Sequence, residues 1–552
     1  MRALIPIFAL ALAMALTPLI SAAQPADEEL PPLIGDALVA PARASLSSAA
    51  DARGPSQYMA GRVAVRLVLP ESDGSAEPST QDWTPAEIEY VTAQTQRALD
   101  WWAAQLPLAR LSFALRVDVV PTKYEPIAHG LADEDLWISD VLARLGYTGP
   151  SHWDQIYAAG NAHRDATGSD WTTTIFIVDS SNHPTSHFVD GRFAYAYING
   201  PHMVVTSNAG AYGAARLAPV IAHEFGHIFG ALDQYAAARV SCERRSGYLN
   251  APTSNSQYGG CGGREPSIML EPLGAFIAGQ VDASARAQVG YRDSDGNGLI
   301  DPLDTTPSVA LSTDRLAASS GRPMLVGEAR DLPFPAPYQQ QVSLNTIAAV
   351  QYRVDGGPWL PAPAVDGAYD ATAEAFAVEL PLYDGSYTVE VRALNSAGVA
   401  STPTRQQVTV SGLGPAPDYS PAAPAVVASL SLPVSLAAPA STAAVQLSER
   451  PDFVGAPWLP YAAEMPFTLA PGDGPHAVYV RFQDAAGLAS LPFALPVTLD
   501  TVAPTGWAAR DPSSPTRLVL NAHDATTGVT GVEVRIGDGA ATWQPYERLL
   551  EL

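Results

Sequence analysis

The chain has 552 residues, 56 of them acidic and 31 basic, for a formal net charge of −25. Charged residues make up 16% of it, against roughly 25% in an average soluble protein, and its 49 prolines exceed the usual share of about 5%. An apolar fraction of 47% excludes wholesale disorder, the acidity speaks against a nucleic-acid-binding surface, and the length calls for about three or four domains.

Arg2 precedes an apolar run over residues 3–20, followed by the small residues Ser21-Ala22-Ala23. This pattern predicts a secretory signal peptide over 1–23 and cleavage before Gln24. The protein is therefore expected to be secreted, extracellular or associated with the cell surface. No other stretch is apolar enough to span a membrane once the signal is gone. Residues 24–57, rich in Ala, Pro, Ser and Asp, read as a linker or short pro-segment. They hold no cysteine, so a thiol latency switch is excluded.

From residue 58 the pattern turns globular. Alternation over 62–69 predicts a strand. Thr84-Pro85-Ala86-Glu87 is a capping box with proline at the first helical position, opening a helix to about residue 105. A second strand is expected over 111–120, helices over 134–146 and 153–165, and a buried strand over 172–178. Residues 193–206 predict two short strands around Asn199-Gly200, and 216–229 carry apolar residues at helical spacing. Such a succession of strands and helices predicts an α/β domain over 58–292. The two cysteines, Cys242 and Cys261, predict a disulfide in an exported chain.

The segment richest in chemistry runs His223-Glu224-Phe225-Gly226-His227-Ile228-Phe229-Gly230-Ala231-Leu232-Asp233-Gln234-Tyr235. His223 and His227 stand one helical turn apart and share a face, which suits two imidazoles to one zinc ion. Glu224 lies beside them as a general base. Gly230 can end the helix and turn the chain, so that Asp233 returns as a third ligand. Two histidines and one carboxylate leave a fourth position open, as catalysis by zinc requires.

This HExxHxxGxxD pattern with a following Tyr resembles the metzincin clan of zinc metallopeptidases, in the aspartate form of the snapalysin-like and immune-inhibitor-A-like peptidases. The resemblance covers roughly residues 58–292. It implies an α/β (α+β) zincin fold and a Met-turn beneath the metal, for which Met269 in Ser267-Ile268-Met269-Leu270 stands 42 residues after His227 (269 − 227). It also implies that 193–206 holds an edge strand along which an extended peptide lies. Zinc would polarise the scissile carbonyl while Glu224 takes a proton from the attacking water and passes it to the leaving amine. Some members carry a Tyr two residues after the Met, where this chain has Glu271. A transition-state tyrosine is thus unassigned among Tyr235, Tyr248 and Tyr258. The remaining histidines, His183, His187 and His202 among them, read as ordinary residues and not as ligands of a second metal.

Residues 293–307 form an expected calcium-loop linker. Asp293, Asp295, Asn297, Asp301 and Asp304 supply side-chain oxygens, Leu299 a backbone carbonyl and Gly298 the tight turn. The loop resembles the dockerin or thrombospondin type 3 variety, and structural Ca2+ there would stiffen the junction.

Beyond 308 short alternating strands with Pro and Gly turns replace helices. Asp384-Gly385 and Asp473-Gly474 lie 89 residues apart (473 − 384), as do Gly398 and Gly487 (487 − 398), and Trp359-Leu360-Pro361 is echoed by Trp458-Leu459-Pro460. The repeats resemble bacterial immunoglobulin-like or fibronectin-III-like β-sandwiches, with units expected at 308–412 and 420–500 and a partial third at 501–552. Their Trp and Tyr residues are expected in the cores. The fold class is thus a multi-domain chain, a zincin-like α/β domain followed by all-β sandwiches.

The combined expectation is a secreted zinc endopeptidase, a hydrolase with catalytic Zn2+ and structural Ca2+, acting on protein or peptide substrates. Its tail modules would serve as spacers or in adhesion to a cell surface or matrix, with no nucleic-acid partner. The rival readings are an adhesin or surface protein with a structural zinc, and a zinc hydrolase of a non-peptide amide or ester.

Overall fold

The computed structural model describes residues 38–39, 54–312, 322–535 and 538–551. The expected signal peptide at 1–23 and nearly all of the expected linker or pro-segment lie outside the described residues. The fold is multi-domain, with an α/β unit followed by stacked β-sheets.

The α/β unit is built on six strands, β1 (Leu38–Val39), β2 (Arg62–Ser72), β3 (Ser112–Thr122), β4 (Trp171–Val178), β5 (Ala194–Ile198) and β6 (His202–Thr206). Their order is β1-β5-β6-β4-β2-β3. Strands β3, β2, β4 and β6 run parallel, whereas β5 is antiparallel to β6 and pairs with β1. All eight residues of β4 are buried, the signature of a parallel strand covered on both faces.

The covering helices are α1 (Pro85–Gln105), α2 (Glu134–Arg144), α3 (His152–Thr167) and α4 (Leu217–Ile228), followed by the short α5 (Pro272–Ala278) and α6 (Ala283–Gln288). Helix α1 begins where the sequence places it. The Thr84 side chain accepts from the Glu87 amide and the Glu87 carboxylate accepts from the Thr84 amide. One face of the sheet packs Val63, Val65, Leu67 and Leu69 of β2 against α1 and α4; the other packs Val68, Phe176 and Val178 against α2 and α3. The Trp102 indole of α1 donates to Ala222 O in α4 at 2.8 Å, satisfying a buried N–H. Cys242 and Cys261 form a disulfide with Cα atoms 5.7 Å apart, closing a loop worth about 3 kcal/mol of stability.

Two β-sandwiches follow. In the first, the sheet of Pro307–Leu311, Met324–Asp331 and Ala373–Glu379 faces that of Ile347–Val354, Leu360–Ala362, Gly385–Asn395 and Thr404–Val410, around a core with Phe376, Val389 and Val391. The second pairs a three-stranded with a five-stranded sheet around Leu432, Val480 and Phe482. The strands after residue 504 behave differently. Among its described apolar residues this region buries only Leu520 and Leu550, and it leaves Trp507 and Trp543 exposed.

One expectation is overturned. The repeated tryptophans are not core residues. Trp359 is half-buried between the guanidinium groups of Arg353 and Arg392, at 4.5 and 4.2 Å, and Arg481 lies 5.1 Å over Trp458. Attraction of the cations to the ring faces holds these rings at the sheet surface. The junction also has direct contacts between the two units. Tyr248 Oη of the α/β unit donates to Phe334 O at 2.9 Å, and Tyr58 Oη donates to Val342 O at 3.1 Å. Phe334, Ala336, Val342 and Leu344 of the first sandwich pack against the α/β core. Beside them Asn345 donates to Leu303 O and Thr305, and Asn395 donates to Thr305 O and Asp331. The two units share a continuous buried seam.

Candidate metal centre

Helix α4 is buried along its whole length. It presents His223 and His227 from successive turns, with ring centres 4.9 Å apart. The helix stops after Ile228 because Gly230 adopts φ +94°, and a Cβ there would stand 2.7 Å from Gly247 Cα. Both the positive φ and the lack of space demand glycine. The turn brings Asp233 back beneath the helix, with Oδ1 at 3.0 Å from His223 Nε2 and 3.4 Å from His227 Nε2.

The Nδ1 atoms fix the orientation of both rings. His223 Nδ1 bonds Ile268 O at 2.8 Å and His227 Nδ1 bonds Ala231 O at 2.7 Å. A carbonyl only accepts, so each Nδ1 carries a proton, and each Nε2 is left facing Asp233. The three ligand atoms lie within 4.8 Å of one another and form a set able to hold one metal ion. All three side chains, and that of Glu224, are about 1% exposed.

Two observations test whether a cation suits this site. His227 Nε2 and both carboxylate oxygens of Glu224 are buried without a hydrogen-bond partner. Buried polar groups are rarely left unpaired, and a dication with a water would satisfy them. Electrostatics agree. Burial opposes its charge, yet the Asp233 carboxylate pushes His227 up to about 9, and contact with both imidazoles holds Asp233 well below its usual range. Burial raises Glu224, which suits a group that must take up a proton.

Met269 lies under this arrangement, fully buried. A Cβ on Gly226 would meet its Sδ at 2.8 Å, so the glycine in the helix lets the methionine pack close. Gln234 N donates to Met269 O at 3.0 Å, tying the residue after Asp233 to the same turn. Of the three candidate tyrosines, Tyr248 is removed from consideration, because its hydroxyl is spent on Phe334 and Val342 at the sandwich seam. The ring of Tyr235 lies 6.5 Å from that of His223. The orienting carbonyls of Ile268 and Ala231 carry no sequence signal, since any residue can supply one.

In the 293–304 loop, Asp293 accepts from the amides of Gly296 and Gly298, and Asn297 Nδ2 links Asp295 and Asp304 at 3.1 and 3.0 Å. Asp301 turns away, buried against Arg292 at 2.6 Å and the Ser294 amide at 2.8 Å. The amide of Leu299 donates to Asn297 Oδ1.

No protein-family model and no curated protein sequence matches the chain. Among solved structures it is similar to fibronectin(III)-like modules of Clostridium thermocellum CbhA, at 15% identity, covering 35% of this chain and 94% of that one with a TM-score of 0.13. It is also similar to the FN1–FN3 domains of chicken CNTN1, at 14% identity, 45% and 88% coverage and a TM-score of 0.17. A third is the central fibronectin-III array of RIM-binding protein, at 15%, 44% and 90%, with 0.14. At such scores the likeness carries no argument of its own, and the strand pairings themselves define the sandwiches. No helix among the described residues is long and apolar enough to cross a membrane.

Proposed function

We propose that the chain is a secreted zinc-dependent endopeptidase of the metzincin type. The observation that carries this reading is the convergence of His223, His227 and Asp233 on one point, with the unpaired carboxylate of Glu224 beside it. A zinc ion held by these three residues would supply Lewis acidity toward a scissile carbonyl. Glu224 acts as the base that removes a proton from the attacking water and returns it to the leaving amine. Its burial strengthens that role, because a carboxylate stripped of water is a better proton acceptor. The Ile268 carbonyl holds the His223 ring and the Ala231 carbonyl that of His227.

A purely structural zinc is disfavoured by Glu224, which a structural site has no reason to bury unpaired. Calcium in the 293–304 loop is the companion proposal, supported by the spacing of Asp293, Asp295, Asn297, Asp301 and Asp304 along it. The test is digestion of casein and of a peptide library before and after a chelator, with zinc restored. Cleavage that the chelator stops and zinc restores is expected. Cleavage indifferent to chelation contradicts a metal role, and a metal-loaded chain that cuts no peptide contradicts the peptidase reading.

A further inference from the structure

A second group of two histidines and a carboxylate lies on the opposite face of the sheet, with Glu134 and His202 buried and His152 half-buried. Glu134 opens α2, His152 opens α3 and His202 opens β6. Glu134 Oε1 is 3.3 Å from His152 Nε2, and Oε2 is 3.6 Å from His202 Nε2. The donor types are those of the first centre, but the rings of His152 and His202 are 6.4 Å apart. With zinc–nitrogen bonds of about 2.0–2.1 Å, each ring centre stands about 3.2 Å from a shared ion, so this separation would need both rings collinear through it. A tetrahedral site does not allow that.

The carboxylate instead serves the edge of the sheet. Tyr195 Oη donates to Glu134 Oε2 at 2.9 Å and Tyr197 Oη donates to Oε1 at 2.6 Å. Both tyrosines belong to β5. Side chains alternate across a strand, so Ala194 and Ala196 face α4 while Tyr195 and Tyr197 reach the far face. The hairpin is held at its tip as well, where Asn199 N donates to His227 O at 3.1 Å. On the outer side of β5, β1 pairs only with Tyr197 and Ile198, and residues 194–196 have no strand partner there among the described residues.

We propose that Glu134 is the positioning residue of the substrate-binding edge: through Tyr195 and Tyr197 it sets the place of β5 relative to the His223–His227–Asp233 centre. This rests on the peptidase reading, in which an extended peptide adds to the edge of β5. Glu134 touches neither substrate nor metal, so its removal acts on substrate binding and leaves the chemical step to Glu224.

The test uses the full chain, its Glu134→Ala and Glu134→Gln variants, and the conservative pair Tyr195→Phe with Tyr197→Phe, which keeps the rings and removes only the two hydroxyls. With a fluorogenic peptide that the parent cleaves, KM is expected to rise about tenfold in Glu134→Ala and in the double Phe variant, the worth of the lost hydrogen bonds. The accompanying change in kcat is expected to stay within about threefold. Glu134→Gln, which keeps an acceptor, should fall between. KM within about twofold of the parent in the double Phe variant overturns the proposal. So does loss of a bound zinc equivalent in Glu134→Ala, which would make the cluster a metal site. If the parent cleaves no peptide, the peptidase reading fails by itself. Amide exchange then decides the anchor: faster exchange over 194–198 than over 171–178 in the double Phe variant supports it, and unchanged exchange contradicts it.

Discussion

The two faces of the α/β sheet carry the same three donor types in different arrangements. On one face, His223 and His227 sit 4.9 Å apart on a single helix, their rings locked through Nδ1, and Asp233 approaches both. On the other, His152 and His202 stand 6.4 Å apart on separate elements, and two tyrosine hydroxyls occupy the carboxylate between them. Composition alone does not make a metal site. A set able to hold an ion needs its ligand atoms close together, which one helix at i, i+4 spacing and the turn to Asp233 supply and three separate elements do not.

The contrast can be broken at several points. The largest effect should follow Asp233→Ala. Removing a ligand should cost zinc affinity more than the roughly 10–100-fold that an outer-shell partner is worth. Isothermal titration of the apo chain with zinc measures it, and unchanged affinity would remove Asp233 from the ligand set. Gly230→Ala comes next. It places a Cβ at 2.7 Å from Gly247 Cα on a backbone with φ +94°. Such strain costs about 1–3 kcal/mol, so thermal unfolding should shift down and zinc affinity should fall with it. An unshifted melting curve would show that the turn into Asp233 tolerates a side chain.

The smallest effect is one of pH and belongs to the far face. Burial opposes its charge, yet contacts with His152, His202 and Tyr197 hold the Glu134 carboxyl well below its usual range. Its contribution is complete above an unfolded value of about 4.3 and is lost as pH falls through the lower folded value. Burial also lowers His202, so the unfolded chain takes up that proton first, below about pH 6.5. Both groups act in one direction, with Tyr195 and Tyr197 kept protonated by burial and by the charge of Glu134, and Asp190 and Arg192 as the further charges nearby. Stability measured by denaturant titration should therefore decline from about pH 6.5 downward and more steeply below about 4.3. The decline should be shallower in Glu134→Gln.

Much of this arrangement was legible in the residues. The capping box at Thr84, the β-branched and apolar stretch of β4, the Asn199-Gly200 turn and the His223-to-Asp233 spacing each place an element by local rules. The disulfide between Cys242 and Cys261 followed from the expectation of export and from there being no other cysteine. Glu134 was hidden, because its partners lie 61 and 63 residues away on a strand whose tyrosines look like ordinary β-formers. The seam through Tyr58 and Tyr248 was hidden for the same reason, since only the fold brings Val342 to them. The tryptophans of the repeats misled because aromatic residues in a strand pattern suggest a core, whereas the arginines that hold them lie on neighbouring strands.

The most direct measurement is the Glu224→Ala variant of the full chain, assayed for bound zinc and for peptide cleavage in the same preparation. The account predicts one zinc per chain, as in the parent, with cleavage reduced by at least about 100-fold. Cleavage at the parent rate with zinc in place would contradict it.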